Sequence, residues 1–309
     1  VFLFMLNPLN TPQREAIHYL DGPLLVLAGA GSGKTRVITH KIAHLVQHCQ
    51  IAARNIAAIT FTNKAAREMQ SRVSKILPSP AGRGLTVTTF HSLGLQILRQ
   101  HAGLLGYKPN FSILDSADSA KIISDILKTP DKADLRRIQS MLSNWKNAGQ
   151  SPETLIQQAN NEAELSLARC YRAYQDTLFA YQALDFDDLI ALPSQLFSAH
   201  SEALQKWQHK LRYLLVDEYQ DTNSCQYQLL KQLAGTKGQF TAVGDDDQSI
   251  YAWRGADIEN IRGLQVDYPH LKVIKLEQNY RSSVRILRAA NRVIGHNPKV
   301  FEKKLWSDL

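Results

Sequence analysis

Residues 28–36 read Ala-Gly-Ala-Gly-Ser-Gly-Lys-Thr-Arg and follow the apolar run Leu24–Leu27. An apolar run, a glycine-rich break and a Lys-Thr pair opening a helical pattern predict a buried strand, a tight loop and a helix N-terminus. Such a loop aims backbone N–H groups at an anion, and the helix end adds its partial positive charge. Ala30, Gly31, Ser32 and Gly33 then form a phosphate cradle. Lys34 reaches the outer phosphates, and the Thr35 hydroxyl is placed to hold Mg²⁺. The run follows the pattern G-x-x-x-x-G-K-[ST] except at its first position, which is Ala28. Nucleoside triphosphate chemistry is the first expectation.

The 309 residues are 44% hydrophobic and 21% charged, the composition of a globular protein with one large domain or two smaller ones. No apolar stretch reaches the roughly 18–20 residues that would span a bilayer. Val1–Phe4 is apolar but too short, and lacks the basic residues, for a signal peptide; Met5 is read as a natural start. Three widely spaced cysteines, Cys49, Cys170 and Cys225, argue against a disulfide framework and for a reducing, cytoplasmic setting. The formal charge of +8 and a pI near 9.3 admit a polyanionic partner without demanding one.

Six apolar runs recur between helical stretches: Leu24–Ala28, Ile56–Phe61, Leu85–Phe90, Leu211–Val216, Phe240–Val243 and Leu271–Leu276. Buried strands alternating with helices predict an α/β fold, a parallel sheet flanked by helices, with functional residues beyond the C-terminal strand ends. From about Ser116 to His209 no strand is evident. Apolar residues there recur at helical spacing, as in Ile122, Ile123, Ile126 and Leu127, with breaks at Thr129-Pro130, Gly149 and Ser151-Pro152. The expectation is an all-helical block inserted into the sheet domain.

Leu211–Val216 ends in Asp217-Glu218-Tyr219-Gln220-Asp221. An acidic pair at a buried strand end suits a Mg²⁺–nucleotide site, with Asp217 on the metal and Glu218 as general base toward water. Phe240–Val243 is followed by Gly244-Asp-Asp-Asp-Gln248 and then Tyr251-Ala-Trp253-Arg254. Gln248 is placed to sense a terminal phosphate. Tyr251 and Trp253 beside Arg254 suit stacking on unpaired bases, although Trp253 would equally serve a core. The aspartates Asp245–Asp247 read as helix-capping residues or as a second metal site. Asp185–Asp188 reads as a cap or as a functional cluster.

These motifs, with Asn10-Thr-Pro-Gln13, Thr60–Ala66, Thr89-Phe-His-Ser92 and Leu276–Ser282, run in one order over nearly the whole chain. The chain thereby resembles superfamily 1 DNA helicases of the UvrD/Rep/PcrA type, and among them the Rep branch. The resemblance implies RecA-like P-loop architecture, ATP and Mg²⁺ as cofactors, and 3′–5′ translocation on single-stranded DNA coupled to duplex unwinding. It implies that Gln13 reads the adenine edge and that Arg36 and Tyr280 sandwich the ring. Gly33, Lys34 and Thr35 hold phosphates and metal, and Gln248 couples the γ-phosphate to the DNA loop. Arg281 resembles one of two arginines that stabilise the transferring phosphoryl group. Phe61, Thr62, Asn63, Lys64, His91, Tyr251, Trp253 and Arg254 match segments lining a single-strand track. Phe61 and His91 also admit readings as core or structural residues.

The resemblance divides the chain into a first motor domain (1–115 and 206–276), a helical accessory insertion (116–205) and the start of a second motor domain (277–309). On that reading the chain is an N-terminal part with little activity alone. Its expected partners are single-stranded DNA, single-strand/duplex junctions and replication or repair proteins, with no membrane contact, as a monomer or a DNA-induced dimer. A helicase–nuclease subunit, a P-loop kinase or small-molecule ATPase, and a non-catalytic nucleic-acid-binding module are the alternatives. The second leaves Thr60–Ala66 and Tyr251–Trp253 unexplained.

Overall fold

The computed structural model describes residues 9–128, 131–252, 255–297 and 301–309. Trp253 and Arg254, expected at the DNA track, and the Thr129-Pro130 break lie outside the described residues. The strands are β1 (Leu24–Ala28), β2 (Ile56–Thr60), β3 (Thr86–Thr89), β4 (Ser112–Ile113), β5 (Ala183–Leu184), β6 (Tyr213–Val216), β7 (Phe240–Gly244) and β8 (Lys272–Leu276).

Six of them form one parallel sheet in the order β3-β2-β6-β7-β1-β8. Parallel neighbours require crossover connections, so helices cover both faces and the strands are apolar on both sides. Period-two alternation divides each strand between two cores. Leu25, Leu27, Ala57, Ile59, Leu214 and Val216 face one core with Phe90, Leu93 and Trp207. Leu24, Val26, Ala28, Ile56, Ala58 and Leu215 face the other with Val37, Ile38, Ile42 and Met69. Of the six strands only the edge strand β8 carries charged residues, Lys272 and Lys275, both exposed, which disfavours pairing with another chain.

All six expected strands form, with differences at their ends. Phe61 leaves the ladder after Thr60, and Phe90 opens a helix instead of closing a strand. The reason is capping. Thr62 Oγ1 accepts from the Ala65 N–H at 3.1 Å, and Thr89 Oγ1 from the Ser92 N–H at 3.2 Å, so a helix starts directly at each strand end.

The expectation of an all-helical insertion needs one correction. Helices Ser116–Leu127, Lys132–Asn147, Pro152–Gln158 and Glu162–Ala180 enclose a separate core of Ile122, Ile123, Leu142, Tyr171, Tyr174 and Leu178. The block is closed at its base by the parallel pair Ser112↔Ala183 and Ile113↔Leu184. Two-residue strands are too short to carry a period-two signal. The helix Asp188–Ala199, which follows β5, packs Ile190, Ala191, Leu196 and Phe197 into the sheet's core.

A buried ion cluster ties the helix Lys132–Asn147 to the start of the helix Asp188–Ala199, which packs on the sheet. Lys146 Nζ donates to Asp185 Oδ2 at 2.6 Å and to Asp188 Oδ1 at 2.8 Å. Asp185 and Asp188 also accept from each other's backbone N–H, capping the helix that follows. Burial opposes the Lys146 charge, but the two carboxylates outweigh it and hold the ammonium protonated. Beside it, Asn147 Nδ2 donates to Asp187 Oδ1 at 2.8 Å, and Asn223 Nδ2 to Asn147 Oδ1 at 2.7 Å. The insertion is thus bonded to the segment just past Asp217–Asp221.

Candidate functional site

The six parallel strands end on one edge of the sheet, and the motifs follow those ends. The loop after β1 turns through Gly31 at φ +72° and Gly33 at φ +95°, left-handed conformations that glycine adopts without steric cost. Space is as restrictive as torsion. A Cβ at Gly33 would lie 2.8 Å from Gln13 Nε2, and one at Gly31 would lie 2.7 Å from Arg281 Cβ and 2.8 Å from Asn279 Nδ2. Ser32 is buried, and its N–H and Oγ return to the Gly29 carbonyl at 3.2 and 2.8 Å, so Ser32 shapes the loop. Ala30 is exposed at the tip. The helix Lys34–Gln47 follows, with Lys34, Thr35 and Arg36 in its first turn, where N–H groups point out of the helix end.

Gln13 is fully buried and donates from Nε2 to the Ser32 carbonyl at 2.9 Å. Its own helix, Thr11–His18, starts at a capping box with Asn10. Asn10 Nδ2 also donates to Gln278 Oε1 at 3.1 Å and to the Tyr280 hydroxyl at 3.0 Å. Tyr280 therefore stands beside the helix that carries Gln13, with its ring partly exposed. The segment after β8 lies on the loop: the Tyr280 N–H donates to the Gly31 carbonyl at 2.9 Å, and Asn279 Nδ2 donates to that of Ala30. Arg281 is exposed, with its Cβ nearest Gly31. Arg36 is half-buried and, after burial itself, helps to lower the pKa of His40.

The acidic strand end faces the loop. The Asp217 N–H continues the ladder to the Ile59 carbonyl at 2.9 Å, and its Oδ1 accepts from the Glu218 N–H at 3.0 Å. Burial, and then the Glu218 charge, push Asp217 up to about 6, with Lys34 opposing. A desolvated carboxylate beside another anion is a position that a divalent cation would stabilise, so this donor set fits Mg²⁺. Glu218 adopts φ +50°, uncommon outside glycine, and its Oε2 lies 2.8 Å from Lys34 Nζ.

Gln220 was not singled out from the sequence, yet it joins two motifs. Its Nε2 donates to Glu218 Oε2 at 2.9 Å, while its Oε1 accepts from the Asp245 N–H at 2.9 Å. Gln248 Nε2 in turn donates to Asp245 Oδ2. A continuous polar path runs from Lys34 through Glu218, Gln220 and Asp245 to Gln248. Its signal in the sequence was only position: Gln220 sits between two acidic residues at a strand end. Asn10 and Asn279 likewise carry no local signal for the contacts they make with Tyr280 and the loop.

The described residues expected at the DNA track follow the ends of β2, β3 and β7 on the same edge. The Phe61 and Tyr251 rings stack with centroids 5.6 Å apart and planes at 21°. Phe61 is half-buried and outside the main cores, which answers the core alternative. Thr62 caps the helix Asn63–Ile76, and Asn63 and Lys64 are exposed in its first turn. His91 meets the edge of Phe186, and burial lowers its pKa, so near neutral pH it offers an uncharged imidazole. Phe61, Thr62 and His91 line a cleft of about 430 Å³ whose wall also includes Asn144, Asn147 and Asn223. The insertion contributes to that wall, which the sequence did not indicate.

A glycine loop between a parallel strand and a helix, facing an acidic strand end, defines a P-loop protein of the RecA-like α/β class. Residues 9–269 match the family model of the UvrD/REP helicase N-terminal domain, and the chain belongs to that family. The chain is 53% identical to the ATP-dependent DNA helicase Rep of Escherichia coli (strain K12) over 304 residues, which are 97% of the chain and 45% of that relative. It is 49% identical to the ATP-dependent DNA helicase PcrA of Bacillus subtilis (strain 168) over 308 residues, 98% of the chain and 42% of the relative. The chain thus spans less than half the length of these relatives. No helix among the described residues is long and apolar enough to cross a membrane.

Proposed function

We propose that the whole protein is an ATP-dependent DNA helicase that moves 3′–5′ along single-stranded DNA and unwinds duplexes by Mg–ATP hydrolysis. One observation carries the reading: the polar path from Lys34 reaches Gln248, three residues along the chain from Tyr251, whose ring stacks on Phe61, so one edge of the sheet joins phosphate chemistry to an aromatic platform. Family membership supports it, and the polarity follows the family resemblance.

In this reading the loop Ala30–Gly33 and the Lys34 ammonium hold the phosphates, and Thr35 and Asp217 hold Mg²⁺. When bound, Mg²⁺ neutralises charge on the phosphates. Glu218 accepts the proton of the attacking water. Gln248 orients toward the terminal phosphate, and Arg281 stabilises the charge that develops on it. Gln13 reads the adenine edge, with Arg36 and Tyr280 on the ring faces. Phe61, Tyr251 and Trp253 stack on bases, while Thr62, Asn63, Lys64, His91 and Arg254 meet the backbone.

Residues 1–115 and 206–276 are the first motor domain, 116–205 the accessory insertion and 277–309 the beginning of a second motor domain. The protein works in the cytoplasm as a monomer or DNA-induced dimer, beside replication or repair proteins. The test is ATP hydrolysis by the full-length protein with and without single-stranded DNA, and unwinding of duplexes with 3′ or 5′ tails. Stimulation by DNA and a requirement for the 3′ tail are expected. Hydrolysis indifferent to DNA would overturn the helicase reading.

A further inference from the structure

Three consecutive aspartates follow β7, and their carboxylate oxygens lie within 4.8 Å of one another. Such a cluster needs a cation. A lysine fills that role: Lys303 Nζ lies 2.6 Å from Asp245 Oδ1 and 3.0 Å from Asp247 Oδ2, and it also pairs with Asp246. The Lys303 and Asp245 side chains are each only 3% exposed. The metal alternative raised by the sequence therefore has its cation position taken by an ammonium with three donors for three carboxylates.

Asp245 is the branch point. Its Oδ1 takes Lys303 and the Asp247 N–H, its Oδ2 takes the Gln248 amide, and its own N–H donates to Gln220. Gln220 leads on to Glu218 and Lys34. We propose that Lys303 is a positioning residue that fixes the orientation of Gln248 by clamping Asp245, and so ties the segment after β8 to the hydrolysis site. This rests on the reading of Gln248 as the phosphate sensor.

Physically, Lys303 supplies the counter-charge to all three carboxylates of this cluster. Without it, three crowded carboxylates repel, Asp245 rotates, and the Gln248 amide loses its anchor. A catalytic group displaced by about 1 Å can lose about 10²-fold in rate. Lys303 itself touches no reacting atom, so nucleotide affinity is left nearly intact.

The test is steady-state ATP hydrolysis by the full-length protein with saturating single-stranded DNA, for wild type, K303M, Q248A and K303M/Q248A. For K303M, kcat is expected to fall about 10²-fold with KM for ATP changing less than about threefold. In the double variant, K303M is expected to add less than about twofold to the loss caused by Q248A, because both act through one amide. K303R keeps the charge and is expected to recover most of the rate. Unchanged kcat in K303M, or multiplicative losses in the double variant, would overturn the proposal. If K303M does not fold, Asp246→Asn combined with Asp247→Asn weakens the clamp while leaving Lys303 and Asp245 in place; the same fall in kcat and the same non-additivity are expected, and full activity overturns the proposal. A wild type that hydrolyses no ATP refutes the helicase reading itself, an outcome distinct from an active wild type indifferent to Lys303.

Discussion

Lys34 Nζ and Glu218 Oε2, 184 residues apart in sequence, stand 2.8 Å apart across the candidate nucleotide site. The pair joins the residue proposed for phosphate binding to the residue proposed as general base. In the proposed reading, nucleotide phosphates would compete with Glu218 for the lysine, and occupation of the loop would release the carboxylate toward water.

Glu218→Gln removes the proposed base and leaves the shape. Turnover is expected to fall by about 10²–10⁴-fold, the usual contribution of a positioned base, while nucleotide still binds because the loop and Lys34 are untouched. Equilibrium binding of a fluorescent ATP analogue beside single-turnover hydrolysis checks both halves. Retention of turnover would show that a group other than Glu218 activates the water.

The Phe61–Tyr251 stack carries no charge. Phe61→Ala is expected to weaken single-stranded DNA binding by about 1–3 kcal/mol, with the salt dependence unchanged. Lys64→Ala is expected to do the reverse, lowering the salt slope by about 1 with a modest loss of affinity. Anisotropy titrations of a labelled oligonucleotide at several salt concentrations separate the two. Equal salt slopes in wild type and Lys64→Ala would remove Lys64 from the track.

Lys146 is 2% exposed and answers two carboxylates, Asp185 and Asp188, 12% and 2% exposed. Lys146→Ala leaves both buried without a counter-charge, and the expected loss of stability is about 3–5 kcal/mol. Urea denaturation measures it. A change below about 1 kcal/mol would mean that water reaches the cluster.

Lys41 is buried, has no carboxylate paired to it among the described residues, and donates to the Ala16 and Tyr19 carbonyls at 2.7 and 2.6 Å. Burial lowers its pKa from 10.5 to about 7. The unfolded chain therefore binds the proton more tightly, and stability is expected to rise with pH between about 7 and 10.5 and to be lost as pH falls through about 7. Lys41→Met removes that slope. Thermal unfolding of both proteins across this range tests it, and parallel curves would count against Lys41 as the source.

The six strands were legible because each central strand is apolar on both faces and ends at a polar motif. That is a local pattern, fixed by burial in a parallel sheet. The chemistry of the loop was legible for a similar reason: Gly31 and Gly33 must turn left-handed directly before Lys34 and Thr35. The pair Ser112–Ile113 and Ala183–Leu184 was not legible, since two residues carry no period.

The sequence by itself determined the sheet, the phosphate loop, the acidic strand end and the family. Tertiary structure alone decided which side chains complete the site. Gln220 became a bridge only when β6 and β7 lay side by side. Asn147 entered the cleft wall only because the insertion folds back onto the segment after β6. The Asp245–Asp247 run by itself admits a cap or a metal site, and its cation is Lys303, more than fifty residues away. Periodicity and glycine torsions are written in neighbouring residues. A counter-charge depends on which distant segment the packed core brings within 3 Å, and no spacing along the chain encodes that.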